Sequence, residues 1–428
     1  MKRSLAAVTA LLLGITGCSS GGDAEESGPV TLTLAGWSLA TTPEFKTLAD
    51  GFKTSHPDIV VELKEYDAAN YDTQMIADLA AGKAPDIYVQ KNLKNFFTYQ
   101  NGKQLLDVSD VAGKLGPKVG GLSSYQVDGK TWAIPYRADS WVLYYNKALF
   151  DKAGVKHPDG SWTWAEYATA AKELTTKLKA SGDKALGAYQ HTWQSTDQGF
   201  ALAQSAGASL ESGDYGFLKP YYQTSLDLQT AGAQVSLGDA TTNSLTYQAQ
   251  FGKQQAAMMV MGTWYIATLL NQQAKGDADT FEWGIAPAPQ LTKATTGTAA
   301  TPVTFADPTG LGINPKISEK KIAAAKEFLA YAAGAESAKA LAGIGVTPAD
   351  NSAVADTIFS LKGAPTDELS KFTFSTHDTK PENPVSKYTA PLQNILKDLH
   401  TEVLSGASPI DAAITKAQDR AKNEVLSK

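Results

Sequence analysis

Residues 131 to 150, TWAIPYRADSWVLYYNKALF, constrain the fold more than any other stretch of this 428-residue chain. Two apolar runs, Trp132-Ala133-Ile134 and Trp141-Val142-Leu143-Tyr144-Tyr145, flank Tyr136-Arg137-Ala138-Asp139-Ser140, and Pro135 stops the first run. The second run is rich in β-formers and too short for a helix, which predicts a strand. It does not alternate with polar residues, so both of its faces are expected to be buried, as in the middle of a sheet covered by helices. Arg137 and Asp139, a cation and an anion close together between two buried strands, sit awkwardly in a core. They fit at a sheet end that faces a cleft. The plainer alternative is a local ion pair on a surface crossover.

The length sets a prior of two domains. A net charge of −6 gives no basic excess, so nucleic acid is not an expected partner. The N-terminus is more specific. Met1-Lys2-Arg3 is positive, Leu5 to Leu13 is apolar, and Ile15-Thr16-Gly17-Cys18 follows. That order predicts a bacterial lipoprotein signal over residues 1–17, with Cys18 lipidated as the new N-terminus. Cys18 is the only cysteine, so no disulfide forms within the chain. No other apolar run is long enough to cross a bilayer. Residues 18–29 have the composition of a disordered tether.

Along the chain, Val30 to Leu34, Ile59 to Leu63 and Pro85 to Val89 read as strands. A helix capped at Thr42-Pro43 carries Phe45, Leu48, Ala49 and Phe52 on one face. A second helix spans 71–81, with Ile76, Leu79 and Ala80 inward and Gly82 past its end. This alternation predicts a parallel α/β sheet. Asp128-Gly129 signals a turn. A second α/β pattern follows the crossover, with strands at 185–189, 256–261 and 281–286. Trp162-Thr163-Trp164-Ala165-Glu166-Tyr167 has the form of a capping box with a hydrophobic staple, which explains its two tryptophans without a ligand. Helices are expected at 318–331 and after Ser408-Pro409.

Several ordered pieces carry a family resemblance: APDIYV at 84–89, the 131–150 stretch, TWAEY at 163–167, FGKQQAAMMVMGTW at 251–264, WGIAPAP at 283–289, GLGI at 310–313 and Gly-Val-Thr-Pro at 345–348. In order and spacing the chain resembles the extracellular solute-binding proteins of the carbohydrate-uptake type, the receptors of ATP-binding-cassette importers. The resemblance implies a two-lobed, periplasmic-binding-protein-like α/β fold whose discontinuous lobes are joined by three hinge crossovers. Carried over, the first lobe is 30–136 plus 308–347 and the second is 140–304 plus 351–428. It also implies a sugar or oligosaccharide ligand, importer permease subunits as partners, no cofactor or metal, and a monomer held at the outer face of the cell membrane by lipid.

A sugar presents C–H faces, matched by aromatic rings, and a rim of hydroxyls, matched by planar polar groups. In open parallel sheets ligands bind beyond the carboxyl ends of strands. The residues found there are Trp37, Ser38, Tyr66, Asp67, Gln90, Arg137, Asp139, Trp193, Trp264, Tyr265, Phe305 and Asp307, with Glu65, Lys91 and His191 beside them. Trp264 matches the Gly-x-Trp position that packs on sugar in the family. Trp132, Trp141 and Trp283 lie within strands and are expected in the core. Catalysis has little support: no His-x-x-x-His, Gly-x-Ser-x-Gly or phosphate loop occurs. A secreted glycosidase using two carboxylates is the first alternative. The others are the same fold with a peptide, polyamine or phosphodiester ligand, and a surface adhesin.

Overall fold

The computed structural model describes residues 28–350 and 354–428, so the signal segment, Cys18 and most of the tether lie outside the described residues. The strand Val30–Trp37 pairs in parallel with Ile59–Tyr66 along its whole length, and with Ile87–Gln90 on its other side. The sheet continues antiparallel through Thr309–Ile313 to Ile134–Arg137, giving five strands. It is therefore mixed. The βαβαβ segment supplies the parallel half, and Thr309–Ile313, returning from later in the chain, runs antiparallel to both of its neighbours.

Helix Glu44–Ser55 buries Phe45, Leu48, Ala49 and Phe52, the apolar stripe its periodicity requires. Pro43, not Thr42, occupies the N-cap position. Helix Tyr71–Ala81 buries Tyr71, Met75 and Leu79 and exposes Ala80. Gly82 ends it at φ 67°, the left-handed conformation that glycine adopts without strain. Asp128 and Gly129 both have positive φ, 53° and 73°, and close a short hairpin.

In the second sheet the strand order is Trp283–Pro287, Trp141–Asn146, Ala256–Gly262, Leu186–Tyr189. Every residue of Trp141–Asn146 is buried. It is internal to the sheet but antiparallel to both neighbours. Only Leu186–Tyr189 and Ala256–Gly262 run parallel. Beside this sheet, Val303–Phe305 pairs in parallel with Asp378–Lys380. The capping box is present: the Glu166 carboxylate accepts the Thr163 N–H at 2.7 Å and fixes the start of helix Trp164–Ala180. The Trp164 indole donates to Gln204 Oε1 at 3.0 Å.

Buried apolar side chains form two clusters, one about each sheet. Each sheet with its helices is a lobe, and the chain crosses between them around 137–141, 305–309 and 345–350. Helix Trp264–Lys275 leans across the boundary: its Ala267 is packed in the first-lobe cluster, and Asn271 and Lys275 donate to the carbonyls of Thr41 and Ala40 at 2.9 and 3.1 Å.

Candidate functional site

The crossings are stitched to one another. Ala138 N–H donates to Thr347 O at 3.2 Å, Ala349 N–H to Tyr136 O at 2.9 Å, and Arg137 bridges Pro348. Arg137 is buried and its Nη1 donates to Glu44 Oε2 at 2.6 Å. Its Nε lies 2.8 Å from Asp139 Oδ2, an ion-pair contact rather than an aligned hydrogen bond. Its Nη2 reaches Thr309 Oγ1 at 3.3 Å. Glu44 also accepts from the Tyr136 hydroxyl at 3.0 Å, and its place in the first turn of a helix suits its charge. Asp139 accepts from Thr263 Oγ1 at 2.9 Å, while the same oxygen accepts from Ser140 N–H and from Thr347 Oγ1, both at 3.2 Å. One hydroxyl thus donates once and accepts twice, its full capacity. Burial opposes the Arg137 charge, but Glu44 and Asp139 outweigh it and hold the guanidinium pKa above its ordinary value. Burial pushes the Asp139 carboxyl up, with Arg137 opposing. The ion pair weighed as a surface feature therefore exists, but buried.

Other predicted residues are also engaged by protein. Phe305 is enclosed, stacked on Trp141 at 5.0 Å and edge-on to Phe200 at 4.9 Å. Asp307 accepts N–H groups from Leu93, Glu382 and Asn383. Tyr265 is enclosed, its ring against Tyr144 and its hydroxyl donating to Gln248 O at 3.3 Å. Gln90 is buried with its amide unpartnered among the described residues, pointing toward Gly312 and Leu105. Tyr66 is buried and donates to Asp78 Oδ2 at 2.6 Å; burial, then this bond, raises its pKa. Trp37 meets Phe45 and Tyr71 edge-on at 5.1 and 5.2 Å. Lys91 lies 5.0 Å over the Trp37 ring and donates to Ala68 O at 2.6 Å. Ser38 turns the chain at φ 51°, and exposed Asp67 accepts from Asn70 N–H at 2.8 Å in front of helix Tyr71–Ala81. Glu65 accepts from Leu39 N–H at 3.2 Å.

The open aromatic surface is on the second lobe. Trp193 is 40% exposed and Trp264 half-buried, their rings 6.5 Å apart. Trp264 is held edge-on to Trp141 at 5.4 Å and 89°. Gly262 makes this possible, because a Cβ there would lie 1.9 Å from the indole. Tyr247 packs 5.8 Å from Trp193, and His191 sits behind both, 4.5 Å from Trp193 and 5.2 Å from Tyr247. Burial lowers His191 to a pKa of about 4, so it is neutral at physiological pH. Tyr247 was not among the sequence candidates; it starts a short helix, Tyr247–Gly252, and follows no strand end.

An aromatic surface thus stands on one of two α/β lobes, beside chain crossings tied together by a buried polar network. The family model of the bacterial extracellular solute-binding protein matches residues 36–339, and the chain belongs to that family. A sugar transporter of Rhizobium etli, solved in an open conformation, is 30% identical with a TM-score of 0.75, over 92% of this chain and 99% of that one. Curated relatives are matched over part of their length. The chain spans 41% of a binding protein of Brucella abortus, at 29% identity over 185 residues and 41% of this chain. It spans 35% of the sn-glycerol-3-phosphate-binding periplasmic protein UgpB of Escherichia coli K12, at 33% identity over 165 residues and 35% of this chain.

Proposed function

We propose that this chain is the sugar-capturing receptor of an ATP-binding-cassette importer. It takes a sugar or oligosaccharide between its lobes and presents the closed form to the permease. The observation that carries this reading is the aromatic surface of exposed Trp193 with half-buried Trp264 and Tyr247. Stacked rings match C–H faces, and the similar Rhizobium etli structure is described as a sugar transporter. Lobe bounds at 30–136 plus 308–347 and 140–304 plus 351–428, and the monomeric state, belong to the same proposal. A ligand touching both lobes favours closure only through its higher affinity for the closed form. Taking a mostly open population to a mostly closed one requires about 5.5 kcal/mol of differential binding.

The test is a thermal-shift panel of mono-, di- and oligosaccharides, because a ligand of the folded state raises its stability by mass action. The panel includes sn-glycerol 3-phosphate. The similarity to UgpB favours that second reading. A shift with the phosphate alone would replace the sugar reading. The saccharides should be recovered intact; released product would instead support the hydrolase alternative. The lipid anchor at Cys18 rests on the Ile15-Thr16-Gly17-Cys18 pattern. A membrane-extracted chain without acyl mass at that residue would refute it.

A further inference from the structure

Trp193, the most exposed ring of the aromatic wall, stands on the loop 190–194 between strand Leu186–Tyr189 and helix Ser195–Gln204. A ring on a loop is only as fixed as the backbone that carries it. Here the backbone is held from below. The N–H and the hydroxyl of Thr196 both donate to the Trp193 carbonyl, at 3.1 and 2.7 Å.

That hydroxyl is itself directed by a chain of buried groups. Gln190 Nε2 donates to Thr196 Oγ1 at 2.9 Å and to Asp197 Oδ2. Gln190 Oε1 accepts from Gln234 Nε2 at 2.8 Å. Asp197 Oδ1 accepts from Ser225 Oγ at 2.6 Å, and Ser225 belongs to helix Lys219–Thr230. The bond directions follow from the groups. The Asp197 oxygen requires a donor, so it turns the NH2 of Gln190 inward and leaves the amide carbonyl for Gln234. An NH2 only donates, so the Thr196 oxygen accepts from it, and the one proton of the threonine is left for Trp193 O. Thr196, Asp197, Ser225 and Gln234 are buried and Gln190 is half-buried, which strengthens each bond. All five line a cavity of about 20 Å³, with room for about one water molecule and none for a sugar. They are therefore not ligand contacts themselves.

We infer that this relay, from Ser225 through Asp197 and Gln190 to Thr196, fixes the backbone under Trp193 and sets the angle at which its ring meets the ligand. Gln190 and Thr196 are thus positioning residues of the wall. That the ring meets a sugar rests on the reading proposed above; the relay itself does not. The rival account is that His191 and Tyr247, packed 4.5 and 5.8 Å from Trp193, hold the ring by themselves. The relay would then only close the start of a helix.

The test is fluorine NMR on the ligand-free chain labelled with 5-fluorotryptophan. The chain has eight tryptophans, and the Trp193 resonance is the one lost in Trp193→Phe. Thr196→Val keeps the shape of the side chain and removes the hydroxyl. The Trp193 resonance should shift, while that of buried Trp283 stays in place. Thr196→Ser keeps the hydroxyl and should restore the wild-type position. Gln190→Leu frees the hydroxyl to turn away and should also move Trp193. Calorimetry with the saccharide that most raises the wild-type melting temperature should show binding about threefold to tenfold weaker in Thr196→Val, the worth of one hydrogen bond, with recovery in Thr196→Ser. An unmoved Trp193 resonance in Thr196→Val, or no recovery in Thr196→Ser, overturns the inference. Should the Val variant not fold, the resonance in Gln190→Leu decides in its place. Wild-type affinity in a Val variant whose ring has shifted also overturns it, because the angle would not matter to binding. A panel in which no saccharide raises the melting temperature removes the sugar reading, and the ring comparison on the free chain still decides the relay.

Discussion

The crossings and the second-lobe wall are built from similar residue types and do opposite things with them. At the crossings, Arg137, Asp139 and Asp307 direct their charges at protein partners, and Phe305 is stacked out of reach of solvent. On the wall, Trp193 and Trp264 are fixed from behind and bare in front. The crossings bring three chain segments together, and the buried polar groups of their backbone and side chains must satisfy one another there. The wall stands on a complete core and can leave its rings open. Residues that look like ligand groups at a strand end are therefore of two kinds, and the discriminator is whether a partner on another segment already occupies them.

The largest effect expected from that contrast is at Arg137. Arg137→Ala leaves Glu44 and Asp139 buried without their counter-charge. Breaking such a pair from one side is strongly destabilising, about 3–5 kcal/mol. Urea unfolding should show a loss of that size. A loss below about 1 kcal/mol, the value of an exposed pair, would move Arg137 from the scaffold to the ligand-facing set.

The next effect is on binding. Trp264→Ala removes a ring that is half-open and supported by Trp141. Calorimetry with the ligand found by the panel should show a loss of roughly 2 kcal/mol or more, the size of an aromatic hot spot. Unchanged affinity would make Trp264 a packing residue like Tyr265, and the wall would shrink to Trp193 and Tyr247.

Much of the fold was legible because periodicity and punctuation agree locally. Helix Tyr71–Ala81 was bounded by its spacing and by Gly82, and the wholly apolar Trp141–Tyr145 run announced an internal strand. Strand direction was not legible: an apolar run is the same whether its neighbours run with or against it, and the antiparallel edges come from segments remote in sequence. The site was half legible. Trp264 could be read from Gly262-Thr263-Trp264, where the glycine has a steric reason. Tyr265, its chain neighbour, points the other way into the core, and strand-end position alone does not tell the two apart. Glu44 and Glu382 gave no signal, because their partners Arg137 and Asp307 lie far along the chain.

The smallest and sharpest test concerns Gly262, where wall and scaffold meet. A Cβ there would stand 1.9–2.3 Å from the Trp264 ring, so Gly262→Ala forces the indole to swing away. The backbone itself has no need to move, and Thr263 keeps its bonds to Asp139 and Ser140. Overpacking of this kind costs about 1–3 kcal/mol when the site cannot yield, and less here because the ring has solvent on one side. The melting temperature should therefore change little. Affinity should fall, though by less than in Trp264→Ala, since the ring remains and is only displaced. Fluorescence of Trp264, read as the difference from the same variant in a Trp264→Phe background, should report the new position. If Gly262→Ala binds ligand as the wild type does, the ring does not need its support on Trp141 to bind, and the wall is adaptable rather than preformed.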